Sequence, residues 1–318
     1  MAILITGGYG LLGSWLVHRF VKEGKDVIVI DTKKRELDYL SEVEGEFKFV
    51  QGDILDFPKL GEVFAENKIE GVIHTVSLMP SPFFLENPYK VISINVMGVV
   101  NLLELVRIFN VKKFLYISSG AVYGEVKDRP SELTHPLSPS DLYGATKASC
   151  EFIGQQYEKD HGIDFRSARP YFFFGPGRFP SEQTYLFKRL LAPLEGLEGL
   201  ELEKGADQRL GFTYVKDIAE GCYLLYQAEN IKHKAVNIAT EEVVSFPEMV
   251  RLAQKYSDNP TEVKIGPGKF MPRGETLDVS LAKEELGFYP KYSVEKGMKE
   301  YAEWIRNNRE RLKSGGKQ

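Results

Sequence analysis

Apolar residues along the chain fall into short unbroken runs, separated by stretches in which they recur every three or four positions. The runs are AILIT (2–6), DVIVI (26–30), FKFVQ (47–51), GVIHTV (71–76) and KFLYIS (113–118). A run that is apolar at nearly every position suits a parallel strand covered on both faces; a half-exposed strand would alternate. The intervening stretches, GSWLVHRFVKEG (13–24), FPKLGEVFAEN (57–67), 88–109 and 141–161, carry apolar side chains at helical spacing. Strand and helix in alternation predict right-handed crossovers and an α/β fold built on a doubly wound parallel sheet. FRSARP (165–170) and KAVNIA (234–239) add two further strands.

The second half is less regular. Residues 175–211 are rich in glycine, proline and charge, with a helix expected around 185–194. A last segment runs from EVKIGP through SLAKEELG to the amphipathic KGMKEYAEWIRNNRERL. We expect a sheet domain at 1–174 to which 212–245 returns, a smaller substrate-binding lobe at 175–211 and 246–313, and a disordered tail at 314–318.

Composition narrows the function classes. With 318 residues, 43% hydrophobic and 27% charged, the chain has the make-up of a soluble globular protein with room for a real core. Its 41 basic and 45 acidic residues leave a net charge of -4, which argues against a general nucleic-acid binder but not against a small anion held by a local cluster. Cys150 and Cys222 are too few for a disulfide framework or a zinc site and read as buried small hydrophobes. None of the five histidines has metal-ligand spacing, and His74, inside a core strand, reads as buried and hydrogen-bonded, so no metal is expected. The opening MAILITGG turns to glycine too early for a signal peptide or a membrane span; a cytoplasmic protein without membrane association is expected.

Directly after the first strand comes TGGYGLLGS, where glycines 8, 10 and 13 satisfy GxGxxG and glycines 7, 10 and 13 satisfy GxxGxxG. Between a strand and a helix, Gly7 and Gly10 allow a tight turn and close approach to a pyrophosphate, whose charge then meets the amides opening the helix. Tyr9, Leu11 and Leu12 of this loop are cofactor candidates, as are Thr75 and Val76 at the end of the fourth strand and Pro170 at the end of the sixth. Asp31 ends strand two, where a carboxylate takes the ribose hydroxyls of NAD and repels the extra phosphate of NADP. Lys33, Lys34 and Arg35 follow and leave NADP open, with NAD favoured. In GDILD, Asp53 and Ile54 stand in reach of an adenine ring. The fold expected is therefore Rossmann-type.

In SDLYGATKAS, Tyr143 and Lys147 are one helical turn apart and share a face. A phenol titrating near 10 is a poor base at neutral pH; lowering it by about three units takes about 4 kcal/mol of differential stabilisation. An ammonium on the next turn and a cationic nicotinamide supply stabilisation of that kind, and Lys147 also suits the nicotinamide ribose. ISSGAVYG brings Ser118 and Ser119 to the same sheet edge.

TGGYGLLG, Asp31, GDILD, the Asn95 of INVMG, SSGAVYG, YGATK and the strand ending ARP together resemble the extended short-chain dehydrogenase/reductases of the NAD-dependent epimerase/dehydratase type. The resemblance extends through FTYVKDIAEG and ELGFYP, over nearly the whole chain. It implies Tyr143 as catalytic acid/base, Ser119 as its hydrogen-bonding partner, Lys147 as ribose ligand and Asn95 as a structural or cofactor-side residue. It also implies a homodimer paired through helices near 89–109 and 141–160.

The departures matter as much. Where 4,6-dehydratases of this family carry an acidic pair the chain has Gly120 and Ala121, so dehydration is not expected. Where nucleotide-sugar enzymes of the family place a diphosphate-binding asparagine it has Phe172, and Leu210 stands at an arginine position with Arg209 one place early. Arg178, Lys188, Arg189, Arg209 and Arg273 remain as candidates for an anion clamp. The loop SLMPSPFFLENP (77–88) is expected to form an apolar wall over the nicotinamide. Two enzymatic readings stay open: a nucleotide-sugar 4-epimerase of the UDP-hexose type, and a dehydrogenase or reductase of a smaller sugar, sugar acid or other hydroxy compound. A third, a binding protein that lost turnover, is disfavoured by the complete Ser119, Tyr143 and Lys147 set.

Overall fold

The computed structural model describes residues 1–126 and 128–315; the side chains of residues 82, 83 and 311–315 lie outside the described set. The central sheet has seven parallel strands, β1 (Ala2–Thr6), β2 (Val27–Asp31), β3 (Phe47–Gln51), β4 (Ile69–His74), β5 (Lys113–Ile117), β6 (Asp164–Pro170) and β7 (Ala235–Ile238), in the order β7-β6-β5-β4-β1-β2-β3. Ile3, Leu4, Ile5, Val72, Ile73, Phe114 and Leu115 are fully buried because helices cover both faces of these inner strands. β3, at the sheet edge, is only half-buried. Strand order reverses between β1 and β4, and a crevice opens at their carboxyl ends, where a ligand is expected in this architecture.

The main helices are α1 (Leu11–Lys22), α2 (Phe57–Glu66), α3 (Gly98–Ile108), α4 (Leu142–His161), α5 (Val215–Gln227), α6 (Phe246–Tyr256) and α7 (Val294–Gly315). Local chemistry sets several boundaries. Asp56 accepts from the amide of Lys59 ahead of a first-turn proline, Ser245 and Glu248 form a capping box, and Gly162 closes α4 in the left-handed conformation. The helix expected without interruption over 88–109 instead contains a π turn at Ser93–Met97, which carries Asn95 inward. The helix expected at 185–194 is two pieces, Tyr185–Leu190 and Ala192–Glu195.

The lobe expected from the irregular second half shares its core with the sheet. One hydrophobic cluster runs from Ile3 and Ile5 through Phe174 and Phe212 to Phe246 and Met298. α7 is tied back to the sheet side through Trp304, whose Nε1 donates to Asp38 at 2.8 Å. α7 continues to Gly315, two residues into the tail expected to be disordered; 316–318 lie outside the described residues.

Candidate active site

β1 ends at Thr6, and the chain turns at once through Gly7, whose φ of 71° favours glycine. The Gly10 amide donates to the Gly7 carbonyl at 2.8 Å, and a Cβ on Gly13 would lie 2.1 Å from that same oxygen. The frame that shapes this turn is therefore glycines 7, 10 and 13. Gly8 serves packing instead: a Cβ there would sit 2.5 Å from Val29. Gly10 begins α1 with no side-chain cap, so the first-turn amides face the crevice, as an anion site requires.

A cavity of about 740 Å³ extends from this turn across the carboxyl ends of the strands. Gly7, Tyr9, Gly10, Leu11, Leu12, Asp31, Thr75 and Val76 line one end of it; Ser118, Ser119, Tyr143, Lys147 and Pro170 line the other. β4 and β5 stop at His74 and Ile117, one residue before Thr75 and Ser118, which is why these side chains reach the cavity. Asp31 accepts the Tyr9 amide on one oxygen at 3.0 Å and the Thr32 amide on the other at 2.8 Å, with lone pairs left for a diol. Lys34 pairs with Glu44 and Arg35 with Glu182 at 2.5 Å, so two of the three cations after Asp31 are already engaged. An uncapped helix start, a glycine cradle and a strand-end carboxylate fit a dinucleotide.

Asp53, Ile54 and Asn95 do not line the cavity. Asp53 is exposed and caps its own turn through the Leu55 amide at 2.9 Å. Ile54 is buried beneath Gly98. Asn95 receives the Leu78 amide at 2.7 Å and donates to Thr146 Oγ1 at 3.2 Å, joining the 77–88 loop to α4. That loop forms the expected apolar wall in part: Met79 and Pro80 line the cavity, and Phe84 packs edge-on to Tyr143 at 6.5 Å. Phe83 falls outside the described side chains.

Tyr143 is buried, and the Ser119 side chain lines the cavity beside it. Burial pushes this phenol up to about 12, with Ser119 and Arg273 pulling it down. Lys147 is 2% exposed; its Nζ donates to the Ile117 carbonyl at 2.8 Å and lies 5.7 Å from the Tyr143 ring centre. Burial lowers Lys147 to about 8. Unfolded, this lysine keeps its proton up to about pH 10.5; folded, it releases it near 8. Between those values the unfolded state binds more protons, so stability of the ligand-free protein is expected to rise with pH across the window, by about 3 kcal/mol. Lys147→Met removes this increment; urea unfolding of both proteins across the window checks it.

The expected anion clamp is mostly dispersed. Arg209 is exposed, donating to the Val243 carbonyl and facing Glu275, and Leu210 is a fully buried core residue. Arg189 lies over the Tyr185 ring at 3.5 Å, and neither it nor Lys188 lines the cavity. Arg178 does line it, but at the Asp31 end, beside Arg35, Glu182 and Tyr39, with its Nε buried and unpartnered. Arg273 alone of the five reaches the Tyr143 end, paired with Asp141 at 2.9 Å. Phe172 joins an apolar, largely aromatic wall with Phe173, Tyr185, Phe187, Phe270 and Met271. Reading the sequence missed Tyr185 and Phe187, on the short helix Tyr185–Leu190, and Phe270 and Met271, in an irregular segment; which of their faces meets the cavity is set by packing between distant parts of the chain.

His74 is fully buried, with Nδ1 bonded to Thr6 Oγ1 at 2.7 Å and Nε2 unpartnered; burial lowers it to about 3, so it stays neutral. Cys150 and Cys222 are buried, as expected. Among the described residues no group of His, Cys, Asp and Glu is placed to hold a metal.

Known proteins resemble the chain over its full length. It is 29% identical to a UDP-glucuronate 4-epimerase of Thermodesulfobacterium geofontis, covering 98% of each chain. It is 28% identical to GDP-mannose 3,5-epimerase 1 of Oryza sativa subsp. indica, covering 99% of this chain and 84% of that one. The solved structure of UDP-glucose 4-epimerase with UDP-glucose from Thermotoga maritima superposes with a TM-score of 0.86 at 27% identity, over 97% of this chain and 99% of that one. The model of the NAD dependent epimerase/dehydratase family matches residues 3–239. With a glycine cradle, a strand-end carboxylate and the Ser119–Tyr143–Lys147 cluster inside that span, the chain belongs to the NAD-dependent epimerase/dehydratase family, an enzyme whose cofactor is NAD.

Proposed function

We propose that the protein is a nucleotide-sugar 4-epimerase of the UDP-hexose type. The observation that carries this is the placement of Ser119, Tyr143 and Lys147 together at one end of a cavity whose other end suits a dinucleotide. NAD, when bound, supplies a hydride acceptor and donor at the substrate carbon. Gly7, Gly10 and the first turn of α1 hold its pyrophosphate, and Asp31 holds the adenosine ribose. Lys147 has donors beyond the one given to Ile117 for the nicotinamide ribose, and its charge favours the Tyr143 phenolate. Tyr143 takes the proton of the substrate hydroxyl and later returns it, while Ser119 orients that hydroxyl. The open space beside Phe172 and Phe187 lets the keto sugar turn before reduction. Gly120 and Ala121 carry no group to protonate a leaving hydroxyl, which speaks against dehydration.

Titration of the NAD-loaded protein with UDP, TDP and GDP tests the substrate class. We expect micromolar binding of UDP, measured calorimetrically, and turnover of the matching sugar nucleotide without net NADH. One observation favours a second reading. The Tyr143 end holds a single arginine among the described lining residues, Arg273, and Asp141 already neutralises it. A smaller sugar, sugar acid or other hydroxy compound suits such a wall, and net NADH formation without UDP binding would select it.

The proposed assembly is a homodimer. The helical run Pro88–Ile108 is long and apolar enough to cross a membrane, yet 44% of its most apolar window is buried in this fold. Its outer face exposes Tyr89, Ile92 and Met97, and α4 exposes Phe152. Such a stripe on paired helices suits a second copy better than lipid, and a cytoplasmic enzyme is proposed. Sedimentation equilibrium reads the mass, and a monomer would refute the pairing.

A further inference from the structure

Beneath the reacting pair, the inner face of α4 continues with Glu151, one turn beyond Lys147. Its carboxylate is fully buried, an expensive place for a charge. Every contact it makes is directed. Oε1 accepts from Ser118 Oγ at 2.5 Å and from Arg169 Nε at 3.0 Å; Oε2 accepts from Arg169 Nη2 at 2.6 Å. Arg169, on β6 and 5% exposed, also donates to Tyr123 Oη at 2.8 Å, and Tyr123 donates to Asn237 on β7 at 2.9 Å.

This network touches the site at two points. Ser118 precedes Ser119, so the bond from Ser118 to α4 fixes the separation between the Ser119 hydroxyl and the Tyr143 phenol. Lys147 is surrounded by the Tyr116 ring of β5 at 4.9 Å and the Tyr143 ring of its own helix at 5.7 Å, which favour its charge through cation–π attraction, by neutral His74 of β4, and by Cys150, whose thiol is pushed up to about 11 by burial. Arg169 of β6 is a second cation in the same region. Glu151 is the only carboxylate among the described groups that act on the Lys147 ammonium.

We propose that Glu151 is a positioning residue that keeps Lys147 protonated through neutral pH and holds Ser119 in reach of Tyr143. An ammonium buried to 2% exposure, with one carbonyl bond, otherwise loses its proton on desolvation. Were it lost, Tyr143 would have no cation on the adjacent turn. The inference rests on Tyr143 and Lys147 being the reacting pair, so the test reads Lys147 without any substrate.

The experiment follows the Lys147 ammonium of the NAD-loaded protein by carbon NMR of ε-labelled lysine against pH, with Lys147→Arg identifying the signal. Glu151→Gln keeps an acceptor for Ser118 and removes only the charge. Its Lys147 is expected to bind its proton about tenfold more weakly than wild type. Because this change leaves Arg169 buried without its anion, Glu151→Gln/Arg169→Met is measured beside it, with a shift in the same direction expected. A folded variant, single or double, whose Lys147 titrates with wild type would overturn the proposal. A failure of the reacting-pair reading shows separately, as full turnover in Tyr143→Phe.

Discussion

Replacing Tyr143 with phenylalanine is expected to lower turnover by about 10²- to 10⁴-fold, the range that a positioned proton-transfer group contributes. Affinity for NAD should stay within about twofold, since the phenol is one of many groups along the cavity. Phenylalanine keeps the ring, so the packing on Phe84 and the buried volume survive, and only the hydroxyl is lost. The hydroxyl of Ser119 receives the Ala121 amide at 3.1 Å, so it does not become an orphan. Fold stability should therefore change little, and a thermal melt beside the rate measurement separates chemistry from folding. Retention of full turnover would remove Tyr143 from the mechanism.

Gly13→Ala is expected to have the opposite profile, with cofactor binding and folding failing together. The added methyl would lie 2.1 Å from the Gly7 carbonyl oxygen and 2.9 Å from Thr75 Oγ1. The first is backbone in a turn whose φ of 71° is already restricted, so it has no rotamer by which to withdraw. The loop must open or α1 must shift, and either move displaces the amides that face the pyrophosphate. Overpacking of this kind costs about 1–3 kcal/mol of stability. NAD affinity should fall by about tenfold or more, read by fluorescence or calorimetric titration. Gly8→Ala is a useful contrast: it meets the Val29 side chain at 2.5 Å and should cost stability more than cofactor affinity. Equal NAD affinity in Gly13→Ala and wild type would show that the cradle lies elsewhere.

The sequence determined the elements that physical chemistry repeats. Buried parallel strands favour near-continuous apolar runs, which placed the inner strands, and all seven strands lie within about two residues of their expected ends. A glycine turn between strand and helix, and an acidic residue closing the next strand, have few purposes other than a dinucleotide. Tyr143 and Lys147 were visible because helical geometry alone puts them on one face. Tertiary structure decided what spacing cannot encode. Arg178 and Arg273 read alike in the chain, yet packing sends them to opposite ends of one cavity, and Arg209 to the surface. Asn95 was read as either structural or cofactor-side, and a π turn directs its amide between the 77–88 loop and α4. The apolar wall of Tyr185, Phe187, Phe270 and Met271 joins a short helix to an irregular segment distant in sequence, so nothing local marked those side chains as facing a ligand. Glu151 shows the difference most directly: in sequence it is one more charge on an amphipathic helix, and only the fold, by burying it against Arg169 and Ser118, places it behind Lys147. Periodicity reports which way a residue faces relative to its own element; what it meets there depends on partners brought from elsewhere in the chain.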